Sequence, residues 1–170
     1  MGSLGVVGIM TAAVAAAAIA LFFLVGPERV WALAGPADLG DVDFATLARR
    51  ETPNDALACP PGLCRAPSDL TPPAYAMGAR ALAALFDRAV AAEPALERVG
   101  GDDGAPSRRY VQRSRLLRFP DTVVVRFLDL PDGRATLALY SRAQLGRSDF
   151  GVNLARIRRW LDRLDRAAAG

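Results

Sequence analysis

The sequence predicts an α+β protein: one N-terminal transmembrane helix, then an antiparallel meander sheet of three to four strands with two helices packed on one face. Three observations carry this. Residues 1–27 hold no charged side chain. Two later stretches repeat apolar residues at helical spacing, and between them the repeat shortens to two, with turn residues at the junctions. The chain therefore divides into a transmembrane anchor at 1–27, a proline-rich arm with a local disulfide turn at 28–73, and an α+β domain at 74–170.

The anchor comes first. Within residues 4–25, Val6, Val7, Ile9, Val14, Ile19, Leu21, Phe22, Phe23 and Leu24 stand among alanines. A helix of that length rises ~33 Å, enough to cross a hydrocarbon core of about 30 Å. A cleaved signal peptide competes with this reading, because Ala32-Leu33-Ala34 before Gly35 has the small-x-small form of a cleavage site. The apolar run is longer than a signal core and no Arg precedes it, which favours retention. Only Arg29 lies close to the helix, so flanking charge says little about orientation.

Eight of the twelve prolines lie between Pro27 and Pro73, which makes this arm extended, with one helical turn at Asp43-Phe44-Ala45-Thr46-Leu47. Phe44, Leu47, Leu57, Leu63 and Leu70 recur along it. A flexible spacer has little use for them, so the arm is expected to lie along the domain from Phe44 onward. Cys59 and Cys64 bracket Pro60-Pro61-Gly62-Leu63, a turn that brings two sulfurs within bonding range. A disulfide there implies an oxidising compartment and places the domain on the periplasmic side of a bacterial inner membrane. Two unpaired thiols in a loop are the other reading.

In the domain, Leu82, Leu85, Phe86, Ala89 and Val90 form an apolar stripe within a helix over 74–92, ended by Pro94. Strands follow at 95–99, 108–119, 122–130 and 134–142, the last two joined by the turn Pro131-Asp132-Gly133. A closing helix over 152–168 buries Leu154, Ile157, Trp160, Leu161 and Leu164.

Composition excludes several chemistries. The chain has no His, two Cys, and no Lys among its 21 basic residues. Imidazole catalysis, His metal ligands and lysine Schiff bases are excluded. Two thiols fall short of the four soft ligands of a closed zinc or iron–sulfur site, so no metal and no cofactor are expected. Ser141 and Ser148 lack a His partner, and no nucleophile elbow or phosphate loop appears. The densest polar grouping is the loop before the last helix, with Arg142, Arg147, Ser148, Asp149 and Asn153 as an anion-binding candidate. A helix start offers free N–H groups, and Arg142 and Arg147 would complete the site. The simpler reading is that Ser148, Asp149 or Asn153 caps the helix. A second grouping, Arg108, Arg109, Arg113, Arg115 and Arg118 around Tyr110 and Phe119, has too small a charge excess behind it for nucleic acid, at +3. It reads as a solvent-exposed strand face paired with Asp102, Asp103, Asp121 or Asp129.

Two runs carry a likeness. They are Pro53-Asn54-Asp55-Ala56-Leu57-Ala58-Cys59-Pro60-Pro61-Gly62-Leu63-Cys64, and Tyr140-Ser141-Arg142 followed by Gly146-Arg147-Ser148-Asp149-Phe150-Gly151-Val152-Asn153. Together they resemble a bacterial and plastid family catalogued as domain of unknown function 1499. The likeness spans residues 44–164; the second run is its most specific part, and Arg156-Ile157 beyond it also fits. It implies a small envelope-associated or lumenal domain, often with an N-terminal membrane segment and with no established activity, so no catalytic residues are carried over.

The expected function is a non-catalytic accessory subunit or assembly factor of a larger inner-membrane protein complex, held in the lipid bilayer through residues 4–25. The alternative is a receptor for an anionic small molecule or lipid head group at Arg142 and Arg147. A third reading, a hydrolase or isomerase using Asp149 with an Arg, requires a deep pocket around Asp149.

Overall fold

A computed structural model describes residues 3–170, which fall into two compact units that divide between Pro36 and Ala37. The first unit holds α1 (Ser3–Val25), whose segment Val7–Val25 is long and apolar enough to cross a membrane, and α2 (Pro27–Ala32). Pro27 opens α2 at a position where a missing N–H costs nothing. The Phe22 and Trp31 rings meet edge to face across the α1–α2 junction, 5.4 Å apart.

The second unit is built on one antiparallel sheet. Its strands are β1 (Asp55–Ala58), β2 (Leu96–Gly100), β3 (Ser107–Arg113), β4 (Pro120–Asp129) and β5 (Ala135–Ala143), in the order β1-β5-β4-β3-β2. The run β2 to β5 is the expected meander. Both helices of the unit, α3 (Ala79–Val90) and α4 (Val152–Ala169), pack on one face. Strand alternation puts Val123, Val125, Phe127, Leu137 and Leu139 under them. Phe86 of α3 meets Phe127 at 5.6 Å and Trp160 of α4 at 5.8 Å, which locks the two helices to the sheet and to each other.

The sheet has five strands, one more than the upper expectation. The fifth, β1, comes from the arm: Asp55, Ala56, Leu57 and Ala58 pair with Arg142, Ser141, Tyr140 and Leu139. The arm also covers the sheet's second face. Phe44, Leu57 and Cys59 are buried there against Val124, Ala138 and Tyr140, with Val42, Leu47 and Leu63 packed around them. Polar contacts fix the path, since Arg142 Nη2 donates to the Leu39 and Gly40 carbonyls at 2.8 and 2.9 Å and Arg109 pairs with Asp38 at 2.8 Å. The leucines of the arm are therefore core residues of a third layer. Cys59 and Cys64 are joined by a disulfide that closes the turn at Gly62, where φ is +81°.

Two boundaries differ from the sequence reading. Helix α3 begins at Ala79 rather than at 74, because Tyr75 is held extended by a two-way bridge to Ala135. The Asp129 carboxylate of β4 accepts the Ala79 N–H at 2.7 Å and so marks the first turn. Strand β3 stops at Arg113 rather than 119, because residues 114–119 close on themselves. Ser114 N–H donates to the Phe119 carbonyl, and the Ser114 hydroxyl accepts the Phe119 N–H at 3.0 Å.

The arginine-rich strand is also not a uniform exposed face. Arg108 is 1% exposed and reaches Asp87 of α3, and Tyr110, which shares its face, donates its hydroxyl to the same carboxylate. Alternation sends Arg108, Tyr110 and Gln112 under the helices and Arg109 toward the arm.

Candidate functional site

Where α4 begins, its polar residues enter the space between helix and sheet. Asn153, Arg156, Ile157, Trp160 and Leu164 share the buried face of α4, so Arg156 sits in an otherwise apolar stripe. At 4% exposure, its guanidinium is satisfied from three strands. Nε donates to Gln112 Oε1 of β3 at 2.6 Å, Nη2 to Asp121 Oδ2 of β4 at 2.5 Å, and Nη1 to Ser141 Oγ of β5 at 2.8 Å and Asn153 Oδ1 at 2.6 Å. Ser141 donates in turn to Asn153 Oδ1, and Asn153 Nδ2 reaches the Asn54 carbonyl just before β1. One cation thus ties α4 to β3, β4 and β5, and Asn153 extends the tie to the approach to β1. Burial pushes the Asp121 carboxyl up, against the pull of Arg156 and with a small push from Asp149.

The network continues through Gln112, whose amide donates to Glu93 Oε2 at 3.0 Å. Glu93 also accepts both arms of Arg159 at 3.0 Å and pairs with Arg163 at 3.2 Å. Burial opposes its charge, but the hydrogen bonds from Arg159 and Gln112 outweigh it and lower its pKa to about 2.

Two clefts flank this network and share Ser114. One, of about 360 Å³, is mostly apolar, with Phe119, Leu145, Phe150 and Val152 in its wall and Asp121 and Asp149 also lining it. The other, of about 240 Å³, is basic, lined by Arg113, Arg115, Arg159 and Arg163 beside Glu93. Around the apolar cleft the surface is unusual. Leu116, Leu117, Phe119, Phe150 and Val152 are the large apolar side chains exposed in the second unit, and they fall on only two segments, the 114–119 turn and the approach to α4. Phe150 is 95% exposed at φ +53°, and Arg118 in the facing turn has φ +57°. Left-handed backbone at a non-glycine residue is strained, and strain of this kind gathers at functional sites.

The predicted site residues separate. Asp149 is the helix cap: Oδ2 accepts the Asn153 N–H at 2.7 Å and Oδ1 the Gly151 N–H at 3.0 Å. Its charge therefore already occupies the start of α4, and both oxygens are spent on backbone amides. Ser148 accepts the Phe150 N–H at 3.2 Å, and Asn153 belongs to the buried network. Arg147 is exposed beside the cleft loop. Arg142 lies on the opposite face of the sheet, its guanidinium over the Tyr140 ring and on arm carbonyls, so it does not join Arg147 in one site. One strand step separates Ser141, which faces the helices, from Arg142, which does not.

Sequence reasoning missed Gln112 and Glu93, took Asp121 only as a surface partner of the arginine strand, and noted Asn54 and Arg156 only as parts of motifs. The signal for Arg156 was available, since it stands three residues after Asn153 and four before Trp160, on the buried stripe. Asp121 and Gln112 left no comparable local trace. Among the described residues no cluster of metal-ligating side chains occurs.

A family model described as a protein of unknown function (DUF1499) matches residues 49–164, a span that holds every member of the network and both clefts. No curated protein and no solved structure matches the chain.

Proposed function

Because the chain belongs to the protein family of unknown function DUF1499, we propose a role from its own residues: a membrane-anchored, non-catalytic accessory subunit or assembly factor of an inner-membrane complex. Its folded domain works on the periplasmic side by binding. One observation carries this reading. The polar residues of the family run, Ser141, Asp149, Asn153 and Arg156, spend their hydrogen bonds on one another, on the strands and on the helix start, while the same segment turns Phe150 outward. Their yield is an exposed apolar face, which is what an interaction module presents. The periplasmic assignment rests on the Cys59–Cys64 disulfide, a bond that persists in oxidising compartments, and the anchor assignment on α1.

Extraction in mild detergent followed by sizing tests the proposal. The parent chain is expected to migrate within a larger assembly, and Phe150→Asp to migrate alone with an unchanged thermal transition. A parent chain that already migrates as a lone monomer overturns the reading.

A further inference from the structure

The exposed apolar residues do not form a flat patch. They project from two neighbouring loop tips, Leu116, Leu117 and Phe119 from one and Phe150 from the other, and the cleft lies between them. The exposed charge beside them is basic, since the cleft's own acids, Asp121 and Asp149, are engaged by Arg156 and by the start of α4. Arg115 and Arg118 punctuate the first turn, Arg113 just before it is paired with Glu97 of β2, and exposed Arg147 stands in the second loop. All of these cations are arginines, whose planar fork matches phosphate oxygens in pairs. Asp149, the nearest acid in the second loop, is turned inward onto the start of α4. Apolar tips flanked by exposed arginines are the pattern of a surface that sits at the boundary of head groups and acyl chains. The tether makes weak affinity sufficient. Only residues 26–36 join α1 to the folded unit, so a domain held by a membrane-spanning helix meets the bilayer at high effective concentration.

We propose that the 114–119 turn and the 144–151 loop form a lipid-docking face, in which Leu116, Phe119 and Phe150 enter the acyl boundary of an anionic bilayer while Arg115 and Arg147 meet its phosphates. The proposal rests on the reading above, that this end of the sheet is the binding face, and names its partner. It also moves the expected head-group contact away from Arg142, which the arm occupies.

The test uses the full chain reconstituted in vesicles of phosphatidylcholine, with or without phosphatidylglycerol. A Phe150→Trp variant reports on the tip, with the parent chain supplying the background of Trp31 and Trp160. In vesicles containing phosphatidylglycerol the added emission is expected to shift to the blue and to be quenched by lipids brominated on the acyl chain. Arg147→Glu is expected to weaken that docking at least about fivefold. Equal quenching in phosphatidylcholine alone overturns the proposal, and so does emission quenched only by water-soluble acrylamide in both vesicles. Detergent sizing separates the two failures. If vesicles show no docking yet Phe150→Asp still dissolves the assembly, the lipid proposal falls and the binding-face reading stands. If vesicles show no docking and Phe150→Asp also leaves the assembly intact, both fall.

Discussion

Arg156 Nη2 lies 2.5 Å from Asp121 Oδ2, with side-chain exposures of 5% and 12%. A charge pair so far from water is worth little against two apolar residues of the same volume, yet each half depends on the other. Arg156→Met is therefore expected to cost about 3–5 kcal/mol, since it leaves the Asp121 carboxylate buried and unpaired and removes donors from Ser141 and Gln112. Arg156→Met with Asp121→Leu is expected to lose less than Arg156→Met alone. Urea unfolding midpoints at constant m-value check both.

Glu93 makes the domain sensitive to acid. Its pKa is lowered from 4.5 to about 2 on folding, so the stability it contributes is fully present above about 4.5 and is lost as pH falls from there toward 2. Asp121 acts with the opposite sign, because its folded pKa is raised and protonation relieves its burial. The melting temperature of the parent is expected to fall across the Glu93 window, and Glu93→Gln to start lower at neutral pH and fall less steeply. A variant whose profile runs parallel to the parent's would assign the acid limb to other carboxylates.

The arm is structural as well as connective. Phe44 is 1% exposed beneath the sheet, packed with Leu57 and Tyr140, so Phe44→Ala is expected to cost about 3–5 kcal/mol through lost burial and the cavity left behind. Limited proteolysis is expected to cut residues 38–50 of this variant before the strands.

The disulfide has a smaller energetic role. Its cysteines are five residues apart, and closing so short a loop is worth about 2 kcal/mol in chain entropy. Replacing both with Ser is expected to lower stability by no more than about that much and to leave the fold intact, read by circular dichroism and a shifted midpoint. In intact cells the pair is expected to resist thiol reagents until reduced. Free thiols there would remove the periplasmic assignment and leave the fold untouched.

Much of this was legible locally, and the exceptions share a cause. The stripes of α3 and α4 and the alternation of β4 and β5 are repeats within single elements, which is where sequence pattern speaks. Strand β1 is four residues with Ala56 and Ala58 under the helices and Leu57 under the arm, so both faces are buried and no polar alternation marks it. Its evidence lies more than eighty residues away, in the pairing with β5. The site divides in the same way. Asp149 as a cap was readable from its place just before a helical repeat, whereas the meeting of Gln112, Asp121, Ser141 and Arg156 is set by sheet register. Arg142 was misplaced for want of parity, since a side chain adjacent in sequence along a strand points to the other face.

Phe150 brings stability and binding into opposition. Its side chain is 95% exposed, so its removal forfeits almost no burial, and its φ of +53° is one that an L-residue adopts at a cost of roughly 1–2 kcal/mol. Glycine meets no such cost, though it gives back about 0.5–1 kcal/mol through the freer unfolded chain. Phe150→Gly is therefore expected to melt at or slightly above the parent while losing co-migration with the larger assembly. A residue kept in a strained conformation with its ring in water makes sense if the ring is covered when the protein works. A clear fall in melting temperature would instead mean that the ring packs against the domain, and the face it marks would lose its strongest member.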